Sequence, residues 1–202
     1  MSTLLFLRDV ARSPVQMGAI VPSSKHLARS MVDEAGITPG DVVVELGGGS
    51  GAFTREIVAR HPGNPLVVFE LSAELAGELA RGFPSATVVA EPVEVLPEVA
   101  DRLGLPAIDR VISGLPWALW SEGRQAAILD ALVPLLSPTA RLVTFHYVHS
   151  RALGRVATMR RLLQERFLDV RYAEPVWANV PPAFVHIAER PLLAARDVAT
   201  QS

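Results

Sequence analysis

Glu45, Gly47, Gly49, Gly51 and Glu70 are the residues whose types and spacing could do chemistry. They sit in and after the stretch VVVELGGGSGAFT (42–54), where an apolar run ends beside a lone carboxylate and a chain of small residues leads into a helix-like segment. Glycines at such a turn allow positive φ and let a backbone approach a ligand with no Cβ in the way. In an open α/β sheet, that ligand lies at the carboxyl ends of the strands. Glu70 ends the next apolar run, 25 residues after Glu45. A carboxylate at that second position can accept hydrogen bonds from both ribose hydroxyls.

Three ligands compete for such a loop. A P-loop phosphate site needs G-K-[ST], which is missing. GGGSGA fits G-x-G-x-x-[G/A] literally, so a dinucleotide is a contender. Glu45 argues the other way, because a negative side chain repels a pyrophosphate and favours an ammonium or sulfonium. S-adenosylmethionine carries both cations and no phosphate. A tight turn without a ligand is the remaining reading.

The elements that must position these residues alternate. VVVEL (42–46), LVVFE (66–70), TVVA (87–90), RVIS (110–113) and RLVTFHYV (141–148) read as strands buried on both faces. Helical patterns follow Ser23, which is expected to cap SKHLARSMVDEAG, and recur in AFTREIVAR, SAELAGELARGF, GRQAAILDALVPLL and RALGRVATMRRLLQERF. FLDVRYAEPVW and AFVHIAE are separated by ANVPP, too short for a crossover helix, and predict an antiparallel terminal pair. The expected fold is α/β: a Rossmann-like, seven-stranded, mostly parallel sheet with an antiparallel C-terminal strand and helices on both faces. With 202 residues, no repeats and no linker, a single domain over 1–202 is expected, in which 1–22 forms an amphipathic membrane-contacting or lid segment.

On these residues the chain resembles class I S-adenosylmethionine methyltransferases. VVVELGGGSG is similar to their first motif, and LVVFEL to their second-strand acid. The resemblance implies S-adenosylmethionine as cofactor, with Gly47, Gly49 and Gly51 under its methionine portion and Glu70, followed by Leu71, on its ribose. Glu91 and Pro92, in VAEPVEVLP, take the place of the family's adenine-side acid, and Ser23 and Ser113 complete the expected cofactor set. Amino methyltransferases acting on adenine or glutamine amides carry [N/D]-P-P-[Y/F/W] after the fourth strand, whereas this chain reads SGLPW (113–117). That departure lowers the case for a nucleobase and leaves room for an alkyl amine.

FLRDVARSPVQMGAIVPSSKHLARSM, SGLPW and PVWANVPPAFVHIAER together resemble the small bacterial phospholipid N-methyltransferases, which convert phosphatidylethanolamine to phosphatidylcholine. The resemblance implies a phospholipid substrate and peripheral attachment to the inner, cytoplasmic face of the membrane. Ribosomal RNA adenine dimethyltransferases share the same plan and are the nearest competing enzymes. A catalytically silent protein that binds cofactor or lipid is a further alternative.

For the acceptor, TFHYVH (144–149) places His146 and Tyr147 on the fifth strand with side chains on opposite faces. Tyr147 is favoured as the group that meets the amine, since its ring also attracts a methylated ammonium. His146 is the second catalytic candidate. Arg12, Lys25 and Asn179 are candidates for the lipid phosphate, and Trp117, Trp120 and Trp177 either line an entrance or fill the core. His149 and His186 stay unassigned, and no spacing suggests a metal.

Composition sets the outer bounds. Half the residues are hydrophobic, a fifth are charged and none is cysteine, which excludes disulfides and thiol nucleophiles. The net charge of −2 conceals +3 over residues 1–29, −9 over 30–140 and +5 over 141–171. Two basic ends could make one face for an anionic partner, with a membrane surface expected and nucleic acid not.

Overall fold

The computed structural model of the chain describes residues 23–152 and 154–193. Arg12 and the expected helix within 1–22 lie outside the described residues.

Helix α1 (Lys25–Ala35) buries Leu27, Ala28, Met31, Val32 and Ala35, a helical stripe that needs an apolar surface beneath it. Its cap is Ser24, not the expected Ser23: the Ser24 hydroxyl accepts from the Leu27 N–H at 3.2 Å. Gly36 ends it at φ 59°, a left-handed conformation in which a side chain would be strained. Strand β1 (Val43–Leu46) is buried at every position and leads through the glycine loop into α2 (Ala52–Arg60). Next come β2 (Leu66–Phe69), α3 (Ala73–Gly82) and β3 (Thr87–Val89). Then follow α4 (Leu96–Leu103), β4 (Ile108–Ser113) and α5 (Glu122–Leu132). Pro134 falls in the short turn that ends α5, as expected of a residue lacking an N–H. The chain finishes with β5 (Leu136–Tyr147), α6 (Gly154–Gln164), β6 (Phe167–Tyr172) and β7 (Ala183–Pro191).

The strands form one sheet in the order β3-β2-β1-β4-β5-β7-β6. Neighbours from β3 to β5 are parallel, and β7 runs antiparallel to both β5 and β6. Alternation along each strand feeds two apolar layers. Val44, Leu46, Val111 and Leu142 face α4, α5 and α6. Val43, Ile112, Val143 and Val185 face α1, α2 and α3. The strand order reverses between β1 and β4, and in open α/β sheets the ligand crevice lies outside the carboxyl ends of the strands at such a point. Among the described residues no helix is long and apolar enough to cross a membrane.

Candidate active site

The glycine loop is fixed from below. The N–H groups of Gly47 and Gly48 both donate to the Phe69 carbonyl, at 2.8 and 3.0 Å, which ties the loop to the end of β2. Gly47, Gly49 and Gly51 all have positive φ, at 85°, 50° and 73°. A Cβ on Gly49 would meet nothing within 4 Å, so the open side of the loop is there. Gly48, which the spacing did not single out, is required for a different reason. Its Cβ would lie 2.6 Å from Leu79 Cδ1 and 2.7 Å from Val68 Cγ1. The turn after β4 presses on the same loop: a Cβ on Gly114 would sit 2.9 Å from the Gly47 carbonyl oxygen.

Glu70 stands at this crevice. One of its oxygens accepts from the Gly49 N–H at 2.7 Å and the other from the Ser72 N–H at 2.8 Å. Both carboxylate oxygens keep a second lone pair for further donors. Glu45 is wholly buried. Its Oε2 accepts from the Thr54 hydroxyl at 2.7 Å, and its Oε1 has no hydrogen-bond partner. Burial pushes Glu45 up to about 8 despite the hydrogen bonds from Thr54. Sequence alone implies a fixed negative charge at this side chain. In the protein alone it is protonated at neutral pH, because desolvation outweighs what Thr54 offers, and a cation brought close would draw the proton off.

Several expected ligands have structural work instead. Ser113 is fully buried; its hydroxyl accepts from Trp117 Nε1 at 3.0 Å, and its carbonyl accepts from the Thr144 hydroxyl at 3.1 Å. It staples the SGLPW turn through that acceptor oxygen. Trp117, 2% exposed, packs edge-on against Trp120 in the core and leaves no ring face for a substrate. Asn179 is 2% exposed: its Oδ1 accepts from the Ser24 N–H at 3.1 Å and its Nδ2 donates to the Pro181 carbonyl. It therefore fastens the 174–182 loop to the start of α1. Glu91 pairs with Arg102, so its carboxylate already has a cation. Leu71 and Pro92 are half-buried beside Glu70 and Glu91 in sequence, and Ser23 and Lys25 flank the Ser24 cap, Lys25 exposed.

The two candidates on β5 part as alternation requires. His146 turns into the face of β7 and β6, where its Nδ1 lies 2.6 Å from His186 Nε2 and its ring stacks on Phe184. It does not point to the crevice side where Tyr147 packs. Tyr147 is half-buried at the strand's end against Phe145, and burial raises its pKa above 10. Its phenol keeps its proton at neutral pH, so it can hydrogen-bond an amine but cannot take the amine's proton. His149, unassigned from sequence, stacks on Tyr147 with ring centres 5.6 Å apart and is exposed. Strand spacing puts the ends of β1 and β5 about 10 Å apart, with β4 between. No group of three or more His, Asp or Glu side chains among the described residues could hold a metal ion.

Comparison with known proteins meets this geometry. No family model matches the chain. Over 184 residues it is 28% identical to the ornithine lipid N-methyltransferase of Singulisphaera acidiphila, covering 89% of this chain and 91% of that protein. Over 92 residues it is 32% identical to a probable ribosomal RNA small subunit methyltransferase A of Methanococcoides burtonii. That match spans 46% of this chain and only 32% of the other protein. Among solved structures, the Burkholderia thailandensis 1,6-didemethyltoxoflavin-N1-methyltransferase with bound S-adenosylhomocysteine superposes with a TM-score of 0.64 at 16% identity, over 94% of this chain and 91% of that one. The fold is that of class I S-adenosylmethionine-dependent methyltransferases, and the curated relatives that the chain resembles are methyltransferases. Relatives of this kind and structures carrying S-adenosylmethionine or S-adenosylhomocysteine support S-adenosylmethionine as the cofactor. The residues fit it: an open glycine at 49, the spare lone pairs of Glu70 for a diol, and the unpartnered Glu45 oxygen below the loop.

Proposed function

We propose that the chain methylates the primary amine of a lipid headgroup, phosphatidylethanolamine and its partly methylated forms, at a membrane surface. The observation that carries this reading is the engagement of Ser113. With its hydroxyl held by Trp117 Nε1, the end of β4 offers no side-chain amide to clamp a planar nucleobase amine. An alkyl amine needs no such clamp, because it is nucleophilic once deprotonated. One relative, matched over 89% of this chain, is also named for a lipid, ornithine lipid.

The bound cofactor supplies an electrophilic methyl group on a sulfonium. The chain's part is chiefly alignment, since holding the reactants in line supplies much of the acceleration in such a transfer. Glu70 and the Gly47–Gly51 backbone hold the cofactor side. Tyr147 accepts a hydrogen bond from the amine and offers its ring to the methylated ammonium. The proton leaves past His149, which is exposed and stacked on Tyr147. Lys25, exposed at the start of α1, meets the headgroup phosphate.

Full-length protein is incubated with labelled S-adenosylmethionine and, separately, phosphatidylethanolamine vesicles, ornithine lipid vesicles and small-subunit ribosomal RNA. Label in phosphatidylethanolamine products is the expected result. Label only in ornithine lipid moves the substrate within the lipid class. Label only in RNA overturns the proposal in favour of adenine methylation, and cofactor binding with no transfer leaves a silent binder.

A further inference from the structure

Two large apolar side chains stand in water at one place on the site's end of the molecule. Trp177 is 69% exposed and Val180 is 80% exposed, both on the loop between β6 and β7. That loop is at the same end of the sheet as Tyr147, because Tyr147 pairs with Ala183 and Tyr172 with His186. The other exposed leucines at that edge, Leu168 and Leu192, are at the opposite end, beside the Phe167–Pro191 pairing.

The loop backbone is well bonded. The Val176 N–H donates to the Ala183 carbonyl at 2.8 Å, the Asn179 N–H donates to the Val176 carbonyl at 3.2 Å, and the Asn179 side chain ties the loop to Ser24. These bonds hold the loop in one shape and leave both exposed side chains outside it. A fixed loop that holds a tryptophan and a valine outward is thus built to insert them. Charge says into what. Lys25 and His26, both exposed, follow Ser24 directly and so flank the loop, while Glu174 is its one acid. Tryptophan suits the boundary between headgroup and acyl chain, where its ring is buried and its N–H stays wet. Basic neighbours suit anionic lipid.

We propose that Trp177 and Val180 form an interfacial anchor that enters the headgroup–acyl boundary of an anionic membrane and turns the mouth of the crevice toward it. The proposal rests on the lipid reading above for its purpose, but it is a separate claim about binding.

The test uses full-length protein and vesicles of phosphatidylethanolamine and phosphatidylglycerol, with and without brominated acyl chains. Brominated lipid should quench part of the tryptophan emission, and Trp177→Phe should abolish that part, since Trp117 and Trp120 are core residues. Trp177→Ala and Val180→Asp should each lower vesicle partition on the order of tenfold, with the melting temperature unchanged because both side chains are exposed. Equal quenching in the parent and Trp177→Phe, or unchanged partition of both variants, overturns the anchor. So does a change in sedimentation of Trp177→Ala without lipid, which would assign the patch to a second copy of the chain. Methyl transfer to a water-soluble short-chain phosphatidylethanolamine, measured on the same samples, keeps the two claims apart. Quenching without transfer would sink the substrate reading and keep the anchor, whereas transfer without quenching would do the reverse.

Discussion

At the scale of single residues, the glycine loop separates a packing requirement from a binding one. Gly48→Ala drives a methyl into Leu79 and Val68, and overpacking of that kind costs ~1–3 kcal/mol. Its expected outcome is a lower urea midpoint in the absence of any ligand. Gly49→Ala meets no neighbour, and the methyl enters the open side of the loop. It should bind S-adenosylhomocysteine at least about tenfold more weakly by calorimetry, with a smaller loss of stability from the left-handed φ. If Gly49→Ala binds as the parent does, the open side is not where the cofactor lies. Glu70→Ala removes the acceptor for the Gly49 and Ser72 N–H groups, and should weaken cofactor binding by ~1–3 kcal/mol. The alternate glycines and Glu70 were legible in the sequence because their role is local: a turn and a strand end. Gly48 was not, because the atoms that exclude a Cβ there come from α3 and β2. The contacts of Ser113, Trp117 and Asn179 were not legible for the same reason, since their partners are ones that only the fold brings near.

At the scale of elements, β1 with α2, β2 and the antiparallel β6–β7 pair follow from runs and spacings that carry their own signal. Helix α4 lies outside the expected helical patterns; Pro97 sits in its first turn, where a missing N–H is harmless. β5 starts at Leu136, several residues before the expected 141, because it pairs early with Ile108. The start of α1 slid by one residue to Ser24, whose N–H is also held by Asn179 across 155 residues of chain. This contact joins the first described helix to the loop that carries Trp177. Asn179→Ala should therefore destabilise the protein by ~1–3 kcal/mol, as buried partners lose their hydrogen bonds. Ser24→Ala should cost ~1 kcal/mol through the cap. The two losses should not add, because both loosen the same helix start. Additive losses in a double-mutant cycle would show that Asn179 acts within its own loop only.

At the scale of the whole molecule, two buried groups on opposite faces of the sheet give stability a pH profile with two opposed limbs. Glu45 has its pKa raised from 4.5 to about 8 by burial, so between these values the native state holds a proton that the unfolded chain has released. Its contribution is present below pH 4.5 and is lost as pH rises toward 8. His186 is pushed down from 6.5 to about 3 by burial, then by His146 and Arg160, so the unfolded chain takes up a proton that the native state refuses. Its contribution is present above pH 6.5 and is lost as pH falls toward 3. Each limb has a slope of up to ~1.4 kcal/mol per pH unit. Between pH 4.5 and 6.5 the two slopes oppose and cancel. Urea midpoints of the ligand-free protein should then fall from pH 6.5 to 8, and Glu45→Gln, which has no proton to lose, should remove most of that fall. Parallel profiles for the parent and Glu45→Gln over this window would mean that Glu45 is already ionised in the free protein. The same variant probes the site, because a cation held near Glu45 favours its charged form. Binding of S-adenosylhomocysteine, whose ammonium remains, should release protons near pH 7 from the parent and fewer from Glu45→Gln, as read by calorimetry in buffers of different ionisation enthalpy. Equal proton release from both would separate Glu45 from the cofactor and leave its buried carboxyl a matter of packing against Thr54 alone.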